Sequence, residues 1–221
     1  MRYLVRAFMV VAMLIVSLDA KEMDAKELIS KMIDAYGGKE KVALLNSYEQ
    51  FWTIQSQVRD MNGTDSRKVI LPSYLYTHIQ YPTRSQTRIL DKDRGVKHSN
   101  GTGKEVNGAM LDAMRLQLFR LYSPLELDKH ATYIKVLDDK EYYILSLKIG
   151  NTTTNYYLLK GLYLIDKVVG ELKVQGKSMK FTTLYRDYRS VEGVQMPHLE
   201  IKYASDINTA IMRLKATRFK R

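Results

Sequence analysis

Four histidines, His78, His98, His130 and His198, are the first candidates for metal binding or acid–base chemistry, yet no two stand at a His-x-His or His-Glu-x-x-His spacing. Cysteine is absent, which removes thiolate zinc sites, disulfides and a cysteine nucleophile together. Carboxylates are paired in Asp91-Lys92-Asp93-Arg94 and in Asp138-Asp139, but both strings fall at expected turns, where solvated charge is the ordinary reading. Gly101-Thr102-Gly103-Lys104 shares residue types with a phosphate loop and lacks its full spacing and its strand-to-helix setting. No Gly-x-Ser-x-Gly elbow occurs. Asp60-Met61-Asn62-Gly63-Thr64 contains a glycosylation-type sequon, with a plain hairpin turn as the better reading. No catalytic, cofactor-binding or metal-ligating residue is assigned, and the chain is expected not to be an enzyme; a site of unfamiliar spacing is the remaining alternative.

With motif chemistry set aside, charge and composition carry more. The chain has 221 residues, 45% hydrophobic and 27% charged, which suits a folded globular domain and excludes disorder as the main state. Lys and Arg outnumber Asp and Glu by 35 to 24, so the formal charge is +11 and an anionic partner is implied: nucleic acid, phospholipid headgroups or an acidic polymer. The N-terminus narrows the choice. Arg2 and Arg6 precede or open an apolar run from Ala7 to Val16, followed by Ser17-Leu18-Asp19-Ala20, the layout of a secretory signal peptide. That run is too short to span a bilayer, which needs ~20 apolar residues. Residues 1–20 are read as the leader and residues 21–221 as one domain, with an uncleaved N-terminal anchor as the other reading. Cleavage would remove two arginines and one aspartate and leave +10. Without a cysteine after the apolar run, no lipidated N-terminus is expected. Export argues against nucleic acid, and a Gram-negative periplasm is the expected compartment.

The elements that must position any site follow from periodicity. Asp24-Ala25-Lys26-Glu27 has capping-box spacing, Ala25, Leu28, Ile29, Met32 and Tyr36 follow at helical intervals, and Gly37-Gly38 stops the helix. From Ser47 the period becomes two, with Asn62-Gly63 expected to turn the first hairpin. Strands are expected over 67–71, 74–80, 85–90 and 94–98. A helix over 108–122 follows, stopped by Ser123-Pro124, and then eight further strands from Tyr133 to Phe219. So many short strands without crossover helices exclude a parallel sheet. A mainly β fold is expected, an antiparallel meander curling into a barrel or half-barrel.

Several strings resemble the periplasmic outer-membrane lipoprotein-sorting (LolA/LolB-like) family. They are the opening helix ending in Tyr36-Gly37-Gly38, Arg88-Ile89-Leu90 running into Asp93-Arg94-Gly95, the segment Met114 to Pro124, and Tyr185-Arg186-Asp187-Tyr188-Arg189-Ser190-Val191-Glu192-Gly193-Val194-Gln195-Met196-Pro197. The resemblance implies a curved, unclosed antiparallel β-barrel covered by α-helices, enclosing an apolar cavity that receives the acyl chains of lipid or lipoprotein. A chain this basic departs from the best-known carriers, so lipid binding is better supported than lipoprotein delivery. Alternation of apolar residues nominates the wall: Trp52, Ile54, Leu75, Ile79, Leu145, Leu147, Phe181, Leu199 and Ile201, with Met110, Met114 and Leu118 on a covering helix. Whether such a face is hollow or simply filled stays open. Each buried methylene contributes ~0.8 kcal/mol, so a sixteen-carbon chain offers on the order of 12 kcal/mol before ordering costs, without any polar grip. The excess Lys and Arg are then expected outside the cavity, drawing the protein to an anionic membrane surface. The competing reading is a solid, basic, non-enzymatic periplasmic module for an anionic polymer or an envelope protein partner.

N-terminal sequencing of envelope material should give a mature chain starting near Lys21. A protein that begins at Met1 and sediments with membranes would contradict the leader.

Overall fold

A computed structural model of the protein describes residues 23–99 and 101–220. The expected leader, the start near Lys21 and Asn100 of an expected turn lie outside them. The chain opens with helix α1 (Ala25–Ala35), capped by the Asp24 side chain, which accepts from the Glu27 backbone N–H at 2.8 Å. Leu28, Ile29 and Met32 form its buried stripe. After Gly37, at φ 115°, a short α2 (Lys39–Val42) and a 3-10 turn lead into the sheet.

The first half of the sheet is a meander of β1 (Ser47–Ser56), β2 (Met61–Ile70), β3 (Tyr74–Tyr81), β4 (Arg84–Asp91), β5 (Arg94–Ser99) and β6 (Thr102–Val106). Helices α3 (Gly108–Phe119) and α4 (Pro124–Lys129) and a second 3-10 turn intervene. The second half runs through β7 (Lys135–Asp138), β8 (Tyr142–Ile149), β9 (Thr152–Leu159), β10 (Ile165–Val174), β11 (Lys177–Val191), β12 (Val194–Ala204) and β13 (Ile207–Phe219). β13 pairs antiparallel with β1, so the two meanders join into one thirteen-stranded sheet ordered β6-β5-β4-β3-β2-β1-β13-β12-β11-β10-β9-β8-β7, not closed into a barrel. The mainly β, half-barrel expectation therefore holds.

The topology dictates where the helices go. β6 and β7 are the two edges of the sheet, and the segment between them carries α3 and α4 across the inner face. α3 packs against β9 and β10 at one side and β4 and β5 at the other. Two glycines let it lie close. A Cβ on Gly170 of β10 would stand 2.8 Å from Arg120 Cδ and 2.9 Å from Leu116 Cδ1, and one on Gly95 of β5 would meet Leu111 Cδ1 at 3.0 Å. Beneath α1, α3 and α4, Leu28, Ile29, Met32, Met114, Leu118 and Leu127 pack with Leu145, Tyr156, Leu158 and Val168 in the main core.

Several expected boundaries move, each for a local reason. The first hairpin turns at residues 57–60, with Asp60 at φ 44°, and Asn62-Gly63 lies within β2 opposite Gln55 and Ile54. Gly63 is used for close approach: a Cβ there would sit 2.4 Å from the Gln80 carbonyl oxygen. Asn62 is thus on a strand rather than in a turn. The breaks expected near Gly170 vanish into the continuous β10. Ser123-Pro124 ends one helix and starts another, because the Ser123 hydroxyl accepts from the Glu126 N–H at 3.2 Å and Pro124 occupies the first turn of α4.

Gly170→Val should destabilise the fold by about 1–3 kcal/mol by forcing α3 off β10, read from the urea midpoint. An unchanged midpoint would mean that this contact is not a tight one.

Candidate ligand cavity

Alternation decides what each strand presents to the helices. In β1 the inner series is Tyr48, Gln50, Trp52, Ile54 and Ser56, all buried. Cross-strand register carries the same side through Asp65, Arg67 and Val69 of β2, Leu75, Thr77 and Ile79 of β3, and Gln86, Arg88 and Leu90 of β4. On the other half it runs through Met212, Glu200, Lys202, Tyr185, Thr183, Phe181, Gly170 and Leu172. The inner face is therefore apolar at its margins and charged across its centre.

At that centre Arg67 donates to both Glu200 oxygens, Nη1 to Oε1 at 3.0 Å and Nη2 to Oε2 at 3.1 Å, in the parallel fork that guanidinium and carboxylate favour. Lys202 Nζ reaches Glu200 Oε2 at 3.1 Å, and Arg67 Nη2 lies 3.5 Å from Asp65 Oδ2. The Arg67 guanidinium also stacks over the Trp52 ring at 5.2 Å, while the indole N–H donates to Gln50 Oε1 at 3.1 Å. From α3, Arg120 Nη2 donates to the Thr183 hydroxyl. Arg67, Asp65 and Glu200 are each only 3% exposed. Burial opposes ionisation of Glu200, but Arg67 and then Lys202 outweigh it and hold its pKa at about 2. Burial lowers the pKa of Lys202, Arg88 and Arg120.

Between this charged centre and α3 lies a cavity of about 500 Å³. Ile79, Met110, Leu116, Leu172, Met179 and Phe181 supply apolar wall, and Arg67, Arg88, Arg120, Glu200 and Lys202 supply the charged part. A much smaller space of about 80 Å³, lined by Tyr36, Tyr48, Tyr122 and Tyr188 among others, lies beyond; the two share Arg67, Arg120, Leu121, Tyr185 and Glu200. The larger space falls within the ~300–1,000 Å³ usual for small-molecule sites.

Of the residues nominated from sequence, Ile79, Met110 and Phe181 line this cavity. Trp52 and Ile54 are packed with Met212 and Leu214 in a separate apolar cluster that Ile79 adjoins. Leu75, Met114, Leu118, Leu145 and Leu147 belong to the main core, so this part of the nominated face is filled. Met110, Met114 and Leu118 do not share the cavity side, because successive i, i+4 positions drift by about 40° around the axis. Met110 alone of the three lines the space, together with Ala109, Ala113, Leu116, Gln117 and Arg120. Leu199 and Ile201 are placed on the opposite face: Glu200 between them and Lys202 after them point inward, and Ile201 neighbours Leu184 and Ile211 across the strands. The expectation that charge stays outside the cavity is likewise corrected.

Apolar alternation alone hides the ion layer, because it assigns the apolar side of a strand inward by default. Val194 and Met196, both buried, share their side of β12 with Glu200 and Lys202, and that parity was the available signal. Nothing local couples Arg67 to Glu200, 133 residues away.

The fold places this chain beside solved structures of low sequence identity. A LolA superfamily protein from Nitrosomonas europaea superposes with a TM-score of 0.57 at 12% identity, covering 90% of this chain and 94% of that one. A domain named for outer membrane lipoprotein sorting, from Vibrio parahaemolyticus, gives 0.51 at 9% identity over 88% and 92%. A DUF1329 family protein from Desulfovibrio piger gives 0.52 at 11% over 90% and 94%. No family model and no curated protein sequence matches.

Glu200 is ionised in the fold down to about pH 2 and has an ordinary value of 4.5. Its depressed pKa contributes stability that is fully present above about pH 4.5 and is lost as pH falls towards 2. Glu200→Gln should therefore lower stability at pH 7 and lose less than the parent protein between pH 7 and pH 3, measured by urea unfolding. Parallel acid limbs would contradict the assignment. Glu200→Ala, which leaves the buried Arg67 with Asp65 alone and the part-buried Lys202 without its carboxylate, should cost about 3–5 kcal/mol at pH 7.

Proposed function

We propose that this chain, built on the LolA-like fold, is a periplasmic carrier that holds the acyl chain of a lipid or lipoprotein in the cavity beneath α3. The reading includes export by the N-terminal leader, a mature chain of one domain from about Lys21, and no catalytic step. A single observation supports it most: the chain between the two sheet edges roofs an inner face that is partly hollow, with Ile79, Met110, Leu172, Met179 and Phe181 facing that space. An acyl chain laid along this wall gains ~0.8 kcal/mol per buried methylene, which needs no enzyme-like polar machinery. Methionine suits the task because its unbranched thioether adapts to irregular apolar ligands.

The solved relatives favour the same reading in kind, since one belongs to the LolA superfamily and another is named for lipoprotein sorting. Among the described residues no helix is long and apolar enough to cross a membrane. Approach to the donor or acceptor membrane is assigned to the remaining surface charge. Exposed basic residues near an anionic bilayer contribute about 1 kcal/mol each and are screened by salt.

Uptake of a fluorescent fatty acid tests the carrier. Ala113→Phe, on the cavity side of α3, and Phe181→Asp, on the opposite wall, should each weaken binding at least tenfold. Leu199→Asp, on the other face of the sheet, should change it less than twofold. Equal binding by all three folded variants would place the ligand elsewhere.

A further inference from the structure

The cavity carries more positive charge than its own carboxylates can balance. Four cations, Arg67, Arg88, Arg120 and Lys202, line it, and two carboxylates lie within reach of them, Glu200 in the wall and Asp65 behind Arg67. Both Glu200 oxygens are committed to Arg67 and Lys202, and Asp65 Oδ2 faces Arg67 while its Oδ1 is buried with no hydrogen-bond partner. Asp65 and Glu200 act on Arg88 and Arg120 through charge alone, and the hydrogen-bond partners of the two arginines are neutral. Arg88 Nε donates to Gln86 Oε1 at 3.1 Å, and Arg120 donates to the Thr183 hydroxyl. The Nε atoms of Arg67 and Arg120 are buried with no hydrogen-bond partner. Both guanidiniums are part-buried, and drawing such a group out of water without an anion bonded to it is costly, so an apolar residue at either position is often as good for stability or better.

The positions of these groups say what would balance them. Arg120 caps the C-terminal end of α3 where the two cavities meet, with Leu116 and Gln117 of the same helix, while Arg88 lies on β4 across the space. Met110, Leu172, Val174, Met179 and Phe181 extend the same space as an apolar wall. A ligand that satisfied both parts would carry an oxyanion at one end and a hydrocarbon tail.

We infer that the cavity recognises a single-chain amphiphile with an anionic headgroup, a carboxylate or a phosphate, seated between Arg88 and Arg120, with its acyl tail along the Met179–Phe181 side of the wall. This rests on the carrier reading and narrows it. A neutral headgroup leaves the two arginines unbalanced, and a diacylated neutral ligand has no partner for them. The oxyanion accepts from guanidinium N–H groups that the protein itself leaves unused, and bonds of this charge-assisted kind are the strong ones. Lys202 and Arg67 stay with Glu200 and hold the floor rigid.

A matched pair of probes decides it: a fluorescent sixteen-carbon fatty acid and its methyl ester, which share a tail and differ in headgroup charge. The parent protein should bind the acid at least tenfold more tightly than the ester. Arg88→Met and Arg120→Met keep an apolar stem and remove the charge; each should abolish most of that preference by weakening the acid tenfold or more, with the ester changed less than twofold. Arg88→Met carries the result alone if Arg120→Met, which also disturbs packing on Gly170, fails to fold. Equal binding of acid and ester to the parent overturns the headgroup assignment and leaves the carrier standing. Binding of neither overturns both. Acetate or inorganic phosphate binding as tightly as the fatty acid overturns the amphiphile in favour of a small-anion site.

Discussion

A thirteen-stranded sheet whose edge strands never meet is the constraint on which the rest of this molecule depends. An uncovered apolar face is costly, and one chain segment covers much of it, while the edge strands themselves stay largely exposed. Because β6 and β7 are adjacent in sequence and farthest apart in the sheet, the residues between them must cross the inner face. α3 is therefore a roof by topology, and Gly95 and Gly170 set how low it sits. A closed barrel would have needed no such crossing and would have left no space of this shape.

Inside that frame, apolar packing and buried charge divide the work. The main core under α1 and α4 is dense, with Leu28, Ile29, Met32, Leu127 and Leu158 essentially inaccessible to water. Towards the middle of the sheet the inner face turns polar, and the Arg67–Glu200 fork with Lys202 holds β2 to β12 through side chains rather than through the ladder. Such a layer is a poor device for stability alone, since well-packed apolar residues of the same size often do as well or better. Its position beside a hollow, at the floor shared by the larger cavity and the small tyrosine-lined one, fits a role in recognition.

Much of this was legible in the sequence, and the limits have physical causes. The period-two runs and the capped α1 announced an antiparallel sheet with a packed opening helix, and the likeness to lipoprotein-sorting proteins agrees with the observed fold. The α3 helix is visible in the spacing, but its cavity side is not, because Met110, Met114 and Leu118 rotate away from one another along the helix and only Met110 lines the space. Glu200 and Lys202 illustrate the harder limit. Alternation identifies two faces of a strand without saying which is inward, and a charged inner residue is interpretable only once its partner on a distant strand is known.

The most direct test of the central claim, that the space beneath α3 holds the ligand, is photo-crosslinking with a diazirine-bearing fatty acid followed by mapping of the modified peptides. Adducts are expected on the segments spanning 109–121 and 172–183. Labelling confined to Leu184, Leu199 and Ile211 on the other face of the sheet would contradict it.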